Sequence, residues 1–383
     1  MIQNFAPSCL NRDDTNSPKD CEFGGYRRAR ISSQCLKRAI RWDPLFAGTV
    51  KSGVGVRTKR LVERVSDALV KAAKDAEAAR AVAAAVVGAT MGTMKGDLTA
   101  VLVYLGEDEI DRIRDLILDG WDALEQASAA VSAAEGSEAD KPGKKGKDKP
   151  SPLADAAKAV ADKFKSATRA ADIALFGRMV AENTDMNVDA ACQVAHAIST
   201  HKVSMEMDFY TAVDDLNPED ATGAGMMGTI EFNSSCFYRY SVVNVDQLSR
   251  NLGDDRELAA TTVEAFLRAS VAAIPAAKQN SMAAQNPPSL VFAVVRDGGG
   301  PWSLANAFET PVRPRETGGL VRQSIEALAD YWGQLAGMYG EEAVKTRALC
   351  CLGDAELGPL TDYRRASVAE VVSAVHSVIA GGE

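Results

Sequence analysis

The stretch YRRARISSQCLKRAIRWDP, from Tyr26 to Pro44, joins a strand pattern to a helix pattern and sets the first step of the predicted fold. Residues 26–31 have the pattern of an extended chain, and the helix pattern that follows starts at a pair of serines. Ser32 or Ser33 supplies the hydroxyl that caps the helix N-terminus, and Pro44 lies just beyond the other end. The stretch therefore predicts a strand that leads directly into a helix.

The predicted helix has two different faces. Residues three and four apart are neighbours on a helix, so apolar side chains share one face and cationic side chains share another. The apolar set is Leu36, Ala39 and Ile40, and the cationic set is Lys37, Arg38 and Arg41. We expect the first face to pack against the protein and the second to stay available to a ligand.

The charge of this stretch is opposite to that of the whole chain. With 43 Lys and Arg against 52 Asp and Glu, the formal net charge is −9, yet residues 26–41 contain six basic side chains and no acidic one. Clustered cations in an acidic protein are typical of a local binding site for phosphate groups. A solvated basic helix face is the simpler alternative.

Further hydrogen-bond donors surround the predicted helix. Arg28 and Arg30 project from one side of the strand, and the helix N-terminus offers free backbone N–H groups. The turn-forming segment at residues 11–20 adds Arg12 and Lys19. A track of this length suits several consecutive phosphates. A sheet with a basic rim is also more typical of proteins that hold single-stranded RNA than of duplex DNA readers.

The rest of the chain has two textures. From Asp43 to Lys165 it is Ala-rich with apolar residues at helical spacing, which predicts a helical module. After Ala171, alternating runs predict strands, among them QVAHAISTHKV, GTIEFNSSCFYRYSVVNV, SLVFAVVRD and LANAFETPV. Helical periodicity returns at residues 257–273, 319–339 and 367–379. These patterns predict an α+β fold of the split βαβ type, with helices on one face of the sheet and the helical module as an insertion.

A charged tract interrupts the helical module. The segment GSEADKPGKKGKDKPSP, residues 136–152, mixes glycine and proline with five lysines: Lys141, Lys144, Lys145, Lys147 and Lys149. Such a tract buries little apolar surface, so we predict a disordered loop whose lysines are solvated. A tether for nucleic acid is the alternative.

The sequence offers few catalytic groups. Phosphate-loop, dinucleotide, α/β-hydrolase and zincin motifs are absent. His196 and His201 are five residues apart, which places them on opposite faces of a strand and favours structural roles. Adjacent Asp13 and Asp14 are the strongest candidates for holding a divalent metal beside a phosphodiester, although aspartates in turns commonly bond to their own backbone. We expect no enzyme activity, no cofactor and no metal site.

Cysteine usage and hydropathy predict a cytoplasmic protein. The seven cysteines form no C-x-x-C pair, so we expect reduced, mostly buried thiols. The longest apolar run, Ala81 to Met94, is shorter than the ~20 residues needed to cross a bilayer. No secretory signal pattern is present at the N-terminus.

Longer blocks of the sequence resemble the CasC family. In order along the chain, the blocks are SCLNRDD, KDCEFGGYRRARISSQCLKRAIR, ADIALFGRM, VAHAISTHKV, DFYTAVDDL, MGTIEFNSSCFYRY, PAAKQNSMAAQNP and SLANAFETPV. They cover most of the chain outside residues 43–166. Members of that family are the repeated backbone subunits of Cascade, the type I-E CRISPR surveillance complex.

The resemblance implies an RRM-like (ferredoxin-like) palm, a helical fingers insertion and a β-hairpin thumb. The implied palm comprises residues 1–42, 171–201 and 234–383, the fingers residues 43–170 and the thumb residues 202–233. Copies stack head to tail along the guide RNA (crRNA), and each thumb displaces one nucleotide at regular intervals. The implied partners are the crRNA, target DNA through the guide, copies of the chain, and the large, small, 5′-end cap and guide-processing subunits. No membrane partner is implied.

The resemblance also assigns roles to individual residues. The phosphate and sugar track is implied at Arg12, Lys19, Ser32, Gln34, Lys37, Arg38, Arg41, Lys278 and Gln279. Met179 is implied beside the bases. The thumb wedge is implied at Phe209, Tyr210, Thr211 and Met227, because flat or polarisable apolar groups can replace a lost base stack.

Three functions are compatible with these patterns. The first is a non-catalytic RNA-binding scaffold that polymerises on the guide. The second is a metal-dependent ribonuclease that cuts target RNA with Asp13 and Asp14. The third is a monomeric RRM-like regulator.

Overall fold

The fold is described from a computed structural model that covers residues 1–50, 53–138, 151–164, 168–180, 183–212, 215–216, 226–315 and 319–381. The chain forms two compact units. The sheet unit comprises residues 1–49, 193–243 and 260–383, and the helical unit comprises residues 50–192 and 244–259.

The strands are numbered in chain order. They are β1 (Ile2–Ser8), β2 (Asp20–Phe23), β3 (Tyr26–Ile31), β4 (Val56–Thr58), β5 (Met94–Lys95), β6 (Leu98–Thr99), β7 (Val103–Leu105), β8 (Cys192–Val194), β9 (Ala197–Ser199), β10 (Glu206–Ala212), β11 (Met226–Tyr238), β12 (Ser241–Val243), β13 (Leu290–Arg296) and β14 (Val344–Cys351).

The helices are numbered in the same way. They are α1 (Ser33–Trp42), α2 (Pro44–Thr49), α3 (Leu61–Lys71), α4 (Ala76–Met91), α5 (Glu107–Asp119), α6 (Trp121–Glu138), α7 (Pro152–Ala161), α8 (Ala171–Phe176), α9 (Val245–Asn251), α10 (Arg256–Ala272), α11 (Gln279–Met282), α12 (Gly319–Tyr339) and α13 (Val368–Gly381). Short 3₁₀ turns occur at Thr184–Met186, Ala305–Phe308 and Gly358–Tyr363.

The main sheet has the strand order β14-β13-β1-β11-β9-β3-β2, and β10 pairs with β11 outside this path. Strand β11 pairs with β10 along its first part and with β1 and β9 along its second part. Its residues 226–232 pair with β10, whereas its residues 233–238 pair with β1. The β10–β11 hairpin is therefore a direct continuation of a strand in the middle of the sheet. This continuity fixes the direction in which the hairpin leaves the sheet.

Helices cover both faces of the main sheet. Helix α12 packs with Leu290 and Leu349, whereas α13 packs with the adjacent strand residues Val291 and Ala348. Successive residues of a strand point to opposite faces, so the two helices lie on opposite sides. The prediction of helices on one face is wrong because residues 290–295 are apolar at every position, as in a strand buried on both faces.

The helical unit packs around a separate apolar core. Side chains from α3, α4, α5, α6 and α7 form this core, as the helical periodicity predicts. The buried carboxylate of Asp172 joins distant segments, because it accepts hydrogen bonds from the Gly55 N–H at 2.8 Å and from the Tyr104 hydroxyl at 2.5 Å. The short strands β4 to β7 were not predicted, since two or three residues carry no period.

The segment LANAFETPV was predicted as a strand, but residues 305–308 form a 3₁₀ turn, and Phe308 is buried against the core that α12 covers. The lysines of the tract at residues 136–152 lie outside the described residues. Helix α6 extends to Glu138, and α7 begins at Pro152.

Candidate nucleic-acid interface

A turn at residues 11–19 forms one side of a cationic surface, which also includes helix α1 and the loop before α11. The Lys19 N–H donates to the Asn11 carbonyl at 2.9 Å, and Arg12 pairs with Pro18 in an isolated bridge. The Asn11 side chain also accepts the Ser32 N–H at 2.8 Å. The turn is therefore held against the N-terminus of α1, and Arg12 and Lys19 lie beside that helix, as predicted.

Helix α1 supplies the second side. The Ser32 hydroxyl accepts the Cys35 N–H at 3.3 Å, which confirms Ser32 as the N-cap. Leu36 and Ile40 are buried on the packing face. On the other face, Gln34 and Arg38 are exposed, and Lys37 and Arg41 are half-buried. The Arg38 guanidinium lies 5.4 Å from the ring centre of Trp42.

The cations of the turn, the helix and the loop before α11 act on two thiols that lie close together, because the Cys35 Sγ is 3.9 Å from the carbonyl oxygen of Leu10, the residue after Cys9. Burial raises the pKa of the Cys9 thiol, and the charges of Arg12 and Lys278 oppose this rise. Burial likewise raises the pKa of Cys35 against the charges of Lys19 and Arg38. Electrostatic action of this kind falls off with distance, so these cations share one region of the sheet unit.

Arg28 does not belong to this surface, which corrects its predicted placement. The side chain is fully buried, at 0% exposure. Its guanidinium donates to the carbonyls of Phe308 at 2.6 Å, Glu309 at 3.0 Å and Ser199 at 3.1 Å. Alternation along β3 places Arg28 on the same sheet face as Arg30, but the segment at residues 308–309 covers that face at Arg28. Arg28 therefore joins parts of the protein together.

Arg30 remains half-buried at the edge of the surface. Its Nε donates to the Asp20 carbonyl at 2.9 Å, and its Nη1 lies 3.0 Å from Nδ1 of His196. Burial lowers the pKa of His196, and the charges of Arg30 and Lys19 lower it further. A neutral imidazole beside Arg30 adds no charge but offers one more polar group to a ligand.

The loop before α11 brings Lys278 and Gln279 to the region. Lys278 has a left-handed backbone, with φ +54°. The Gln279 amide donates to the Pro275 carbonyl at 3.0 Å and accepts from Gln285 at 3.1 Å. The Gln279 side chain therefore orders its own loop, whereas the Lys278 ammonium is the group of this loop suited to a phosphate.

The aspartate pair is engaged in turn structure. The Asp13 carboxylate accepts the Thr15 hydroxyl at 2.8 Å and the N–H groups of Thr15 at 2.9 Å and Ser17 at 3.0 Å. The hydrogen bond from the Thr15 hydroxyl is the main cause of a lowered pKa at Asp13. Asp14 is exposed beside it. Within the described part of the chain, no group of three or more His, Cys, Asp or Glu side chains is arranged to hold a metal ion.

The β10–β11 hairpin presents two distinct faces. The register pairs Phe209 with Thr229 and Thr211 with Met227, so Phe209, Thr211 and Met227 share one face. Phe209 is 57% exposed and Met227 is 63% exposed, which is unusual for large apolar side chains. Three of the four predicted wedge residues thus form one apolar surface.

Tyr210 lies on the other face of the hairpin. Its ring lies over its register partner Gly228, where an added Cβ would come within 2.5 Å of the ring. A glycine at this position therefore leaves room for the tyrosine ring on the strand backbone. Tyr210 is separated from Phe209 by the thickness of the hairpin.

Met179 lies in the helical unit, on a loop that follows α8. Its side chain is 87% exposed, and it directly follows the buried Arg178. A methionine this exposed offers a polarisable apolar surface for contact with an aromatic ring.

His201 has the structural role that its spacing predicts. The Cys236 N–H donates to Nε2 of His201 at 3.2 Å, and Nδ1 lies 2.9 Å from the Lys202 carbonyl. This pattern fits a neutral ring that carries its proton on Nδ1. Burial, the largest cause, lowers the pKa of His201.

Sequence reasoning missed the residues that hold the surface in place. Asn11 ties the turn to α1, and Trp42 lies beside Arg38. An asparagine inside a turn-forming segment and a tryptophan one turn after an arginine are weak signals, because both occur widely without such contacts.

Within the described residues, no helix is both long and apolar enough to cross a bilayer.

Known structures and one family model match the chain along nearly its whole length. A chain titled "CRISPR RNA-guided surveillance complex, pre-nicking" is 31% identical with a TM-score of 0.78, and the match covers 100% of this chain and 98% of that one. A chain titled "CRISPR RNA-guided surveillance complex" is 29% identical with a TM-score of 0.67, and the match covers 99% and 98%. A family model described as CT1975-like protein matches residues 1–374, whereas no curated protein matches. The predicted family and fold class are confirmed.

Proposed function

Because this chain belongs to the CT1975-like protein family and is a CRISPR-associated surveillance-complex subunit, we propose that it is the backbone subunit that binds the guide RNA. Copies assemble head to tail along the crRNA spacer and present it for pairing with target DNA. The protein acts in the cytoplasm as a type I-E Cascade component, together with the large, small, cap and guide-processing subunits. Its role is non-catalytic.

The observation that carries this proposal is the cationic surface of the sheet unit. Arg12 and Lys19 on the turn, Arg38 on α1 and Lys278 before α11 act on the same region of an otherwise acidic chain. Lysine and arginine bind phosphates without reading the base, so such a surface suits a guide whose sequence varies. The other predicted members of the track are Arg30, Ser32, Gln34, Lys37, Arg41 and Gln279.

The hairpin supplies the second element of the proposal. Phe209, Thr211 and Met227 form an exposed apolar face at the end of a strand that is anchored in the main sheet. Inserting this face between bases replaces a lost base stack with an apolar contact, which is worth about 1–3 kcal/mol per base for aromatic side chains. The hairpin therefore displaces a nucleotide from the guide, and Met179 contacts a base from the helical unit.

Catalysis of RNA cleavage by Asp13 and Asp14 is the alternative. The hydrogen bonds that Asp13 accepts from Thr15 and Ser17 give this carboxylate a structural role, which favours the scaffold. Incubation of the assembled complex with Mg²⁺ and complementary RNA tests this point. Regularly spaced cuts that disappear in Asp14→Ala would support the ribonuclease instead.

The mass of reconstituted complexes tests the proposed assembly. The chain is mixed with guide RNAs of increasing spacer length, and each complex is measured by native mass spectrometry. We expect several protein copies per RNA and a copy number that rises in regular steps with spacer length. One copy per RNA at every length would contradict the proposal and support the monomeric regulator.

A further inference from the structure

The loop that carries Met179 is closed by its own backbone. The Arg178 N–H donates to the Val188 carbonyl and the Val188 N–H donates to the Arg178 carbonyl, each at 2.9 Å. On the other side of Met179, the Val180 N–H donates to the Asn187 side chain at 2.6 Å. Both neighbours of Met179 are thus tied to the opposite side of the loop.

Gly177 allows this closure. Its φ of +77° lies in a region that side-chain-bearing residues rarely adopt. An added Cβ would also lie 2.8 Å from the Val188 carbonyl oxygen. The chain can therefore turn sharply from α8 into the loop only with glycine at this position.

The Arg178 side chain anchors the loop to the core of the helical unit. Its guanidinium and the Glu109 carboxylate are both buried, and they are joined by hydrogen bonds of 2.7 and 3.1 Å. The same guanidinium donates to the carbonyls of Met186 at 2.8 Å and Tyr104 at 3.0 Å. Glu109 also accepts the Gly106 N–H at 3.0 Å, so the anchor reaches the start of α5.

This arrangement is more than stability requires. Burying an ion pair removes two charges from water, and well-packed apolar residues of similar volume often serve stability as well or better. What the pair supplies is geometry, because planar guanidinium and carboxylate groups fix each other's orientation. The residue fixed next to it, Met179, is almost fully exposed.

We propose that Arg178 and Glu109 are positioning residues that hold Met179 where it meets a base of the guide. This inference rests on the proposed function, because it assigns the RNA contact to Met179. Binding a base restricts the three rotatable bonds of the Met179 side chain, which costs entropy. Because the loop backbone is already ordered, binding does not add the cost of ordering the backbone.

A double-mutant cycle tests the positioning role. Complexes are assembled on single-stranded RNA that carries 2-aminopurine at successive positions, and affinity and fluorescence are measured for each variant. We expect Met179→Ala to weaken binding about two- to tenfold and to change the fluorescence at one repeating position. Arg178→Lys and Asn187→Ala should produce the same change, and neither should have a further effect when combined with Met179→Ala.

Matched controls separate the outcomes. Arg169→Lys alters another ion pair of the helical unit, Arg169 with Asp255 at 2.7 Å, and should leave the fluorescence unchanged. If Arg178→Lys fails to fold, Asn187→Ala carries the test, since it removes one hydrogen bond and no charge. Effects of Arg178→Lys or Asn187→Ala that add to that of Met179→Ala overturn the positioning role alone. No effect of Met179→Ala overturns the base contact and with it the positioning role, while the mass measurement still tests the assembly.

Discussion

Arg28 and Arg30 are two residues apart on β3, yet they have different roles. Arg30 lies at the edge of the cationic surface, whereas Arg28 is buried and donates to carbonyl groups of residues 199, 308 and 309. Strand alternation correctly predicts that both side chains point to one face. It cannot predict which part of that face is covered, because the covering segment is about 280 residues away in sequence.

Substitution of Arg28 should reduce the stability of the folded protein. Arg28→Met leaves several buried carbonyl groups without a donor, so we expect the free energy of unfolding to fall by about 3 kcal/mol. Arg27→Met is the matched control on the same strand, since Arg27 is exposed and pairs with Asp20 at the surface. Its effect should stay below about 1 kcal/mol. Urea unfolding of the three proteins measures both changes, and equal stabilities would contradict the buried role.

His201 should make stability depend on pH. Its pKa is lowered in the folded protein, mainly by burial, whereas in the unfolded chain it titrates near its ordinary value of 6.5. The unfolded state therefore binds more protons below this value, and stability is complete above pH 6.5 and lost as pH falls through the folded pKa. Wild type should lose stability on acidification relative to His201→Gln.

Denaturant midpoints between pH 7.5 and 5.0 measure this difference. Ser204→Ala is the control, because Ser204 is exposed three residues from His201 and carries no group that titrates in this pH range. The control should follow the wild-type pH curve. Parallel curves for wild type and His201→Gln would show that protonation of His201 does not oppose folding.

At the scale of elements, the hairpin is the feature whose chemistry is set by register. The family resemblance implied all four wedge residues together, whereas the observed pairing brings Phe209, Thr211 and Met227 to one face and Tyr210 to the other. Register depends on the turn and on the partner strand, so one sequence could not supply it. Both ends of the long helix at residues 319–339 were predicted correctly, because its 21 residues repeat the helical period several times.

Removal of the apolar hairpin face should weaken RNA binding without changing its salt dependence. Phe209→Ala deletes the ring that we propose contacts a base, so we expect a loss of about 1–3 kcal/mol in binding free energy per stacked base. No cation is lost, and the slope of log K against log salt should stay the same. Fluorescence anisotropy at several salt concentrations measures both quantities.

Met226→Ala provides the matched control for the hairpin. Met226 is also exposed, but its register partner is Ala212, which places it on the face of Tyr210. We expect a smaller loss than for Phe209→Ala. If Met226→Ala has the larger effect, the opposite face of the hairpin carries the wedge.

At the scale of the whole molecule, charge is distributed unevenly. The chain has a net charge of −9, and its cations around residues 12, 19, 38 and 278 lie in one region of the sheet unit. The order of residues along the chain predicted Arg12, Lys19 and Arg38 as a cluster, since they are close in sequence. The contribution of Lys278 came only from the family resemblance, because the fold brings it near Cys9 from a distant segment.

The salt dependence of guide-RNA binding tests the central claim most directly. Affinity per bound copy is measured from low to physiological salt for wild type, for Lys19→Gln with Lys278→Gln, and for the control Lys158→Gln with Lys345→Gln. Each phosphate contact contributes about −0.7 to the slope for a single strand, so the first double variant should flatten the slope by about 1.4. The control should keep the wild-type slope. Binding that is insensitive to salt, or an unchanged slope in the Lys19 and Lys278 variant, would contradict the guide-RNA track.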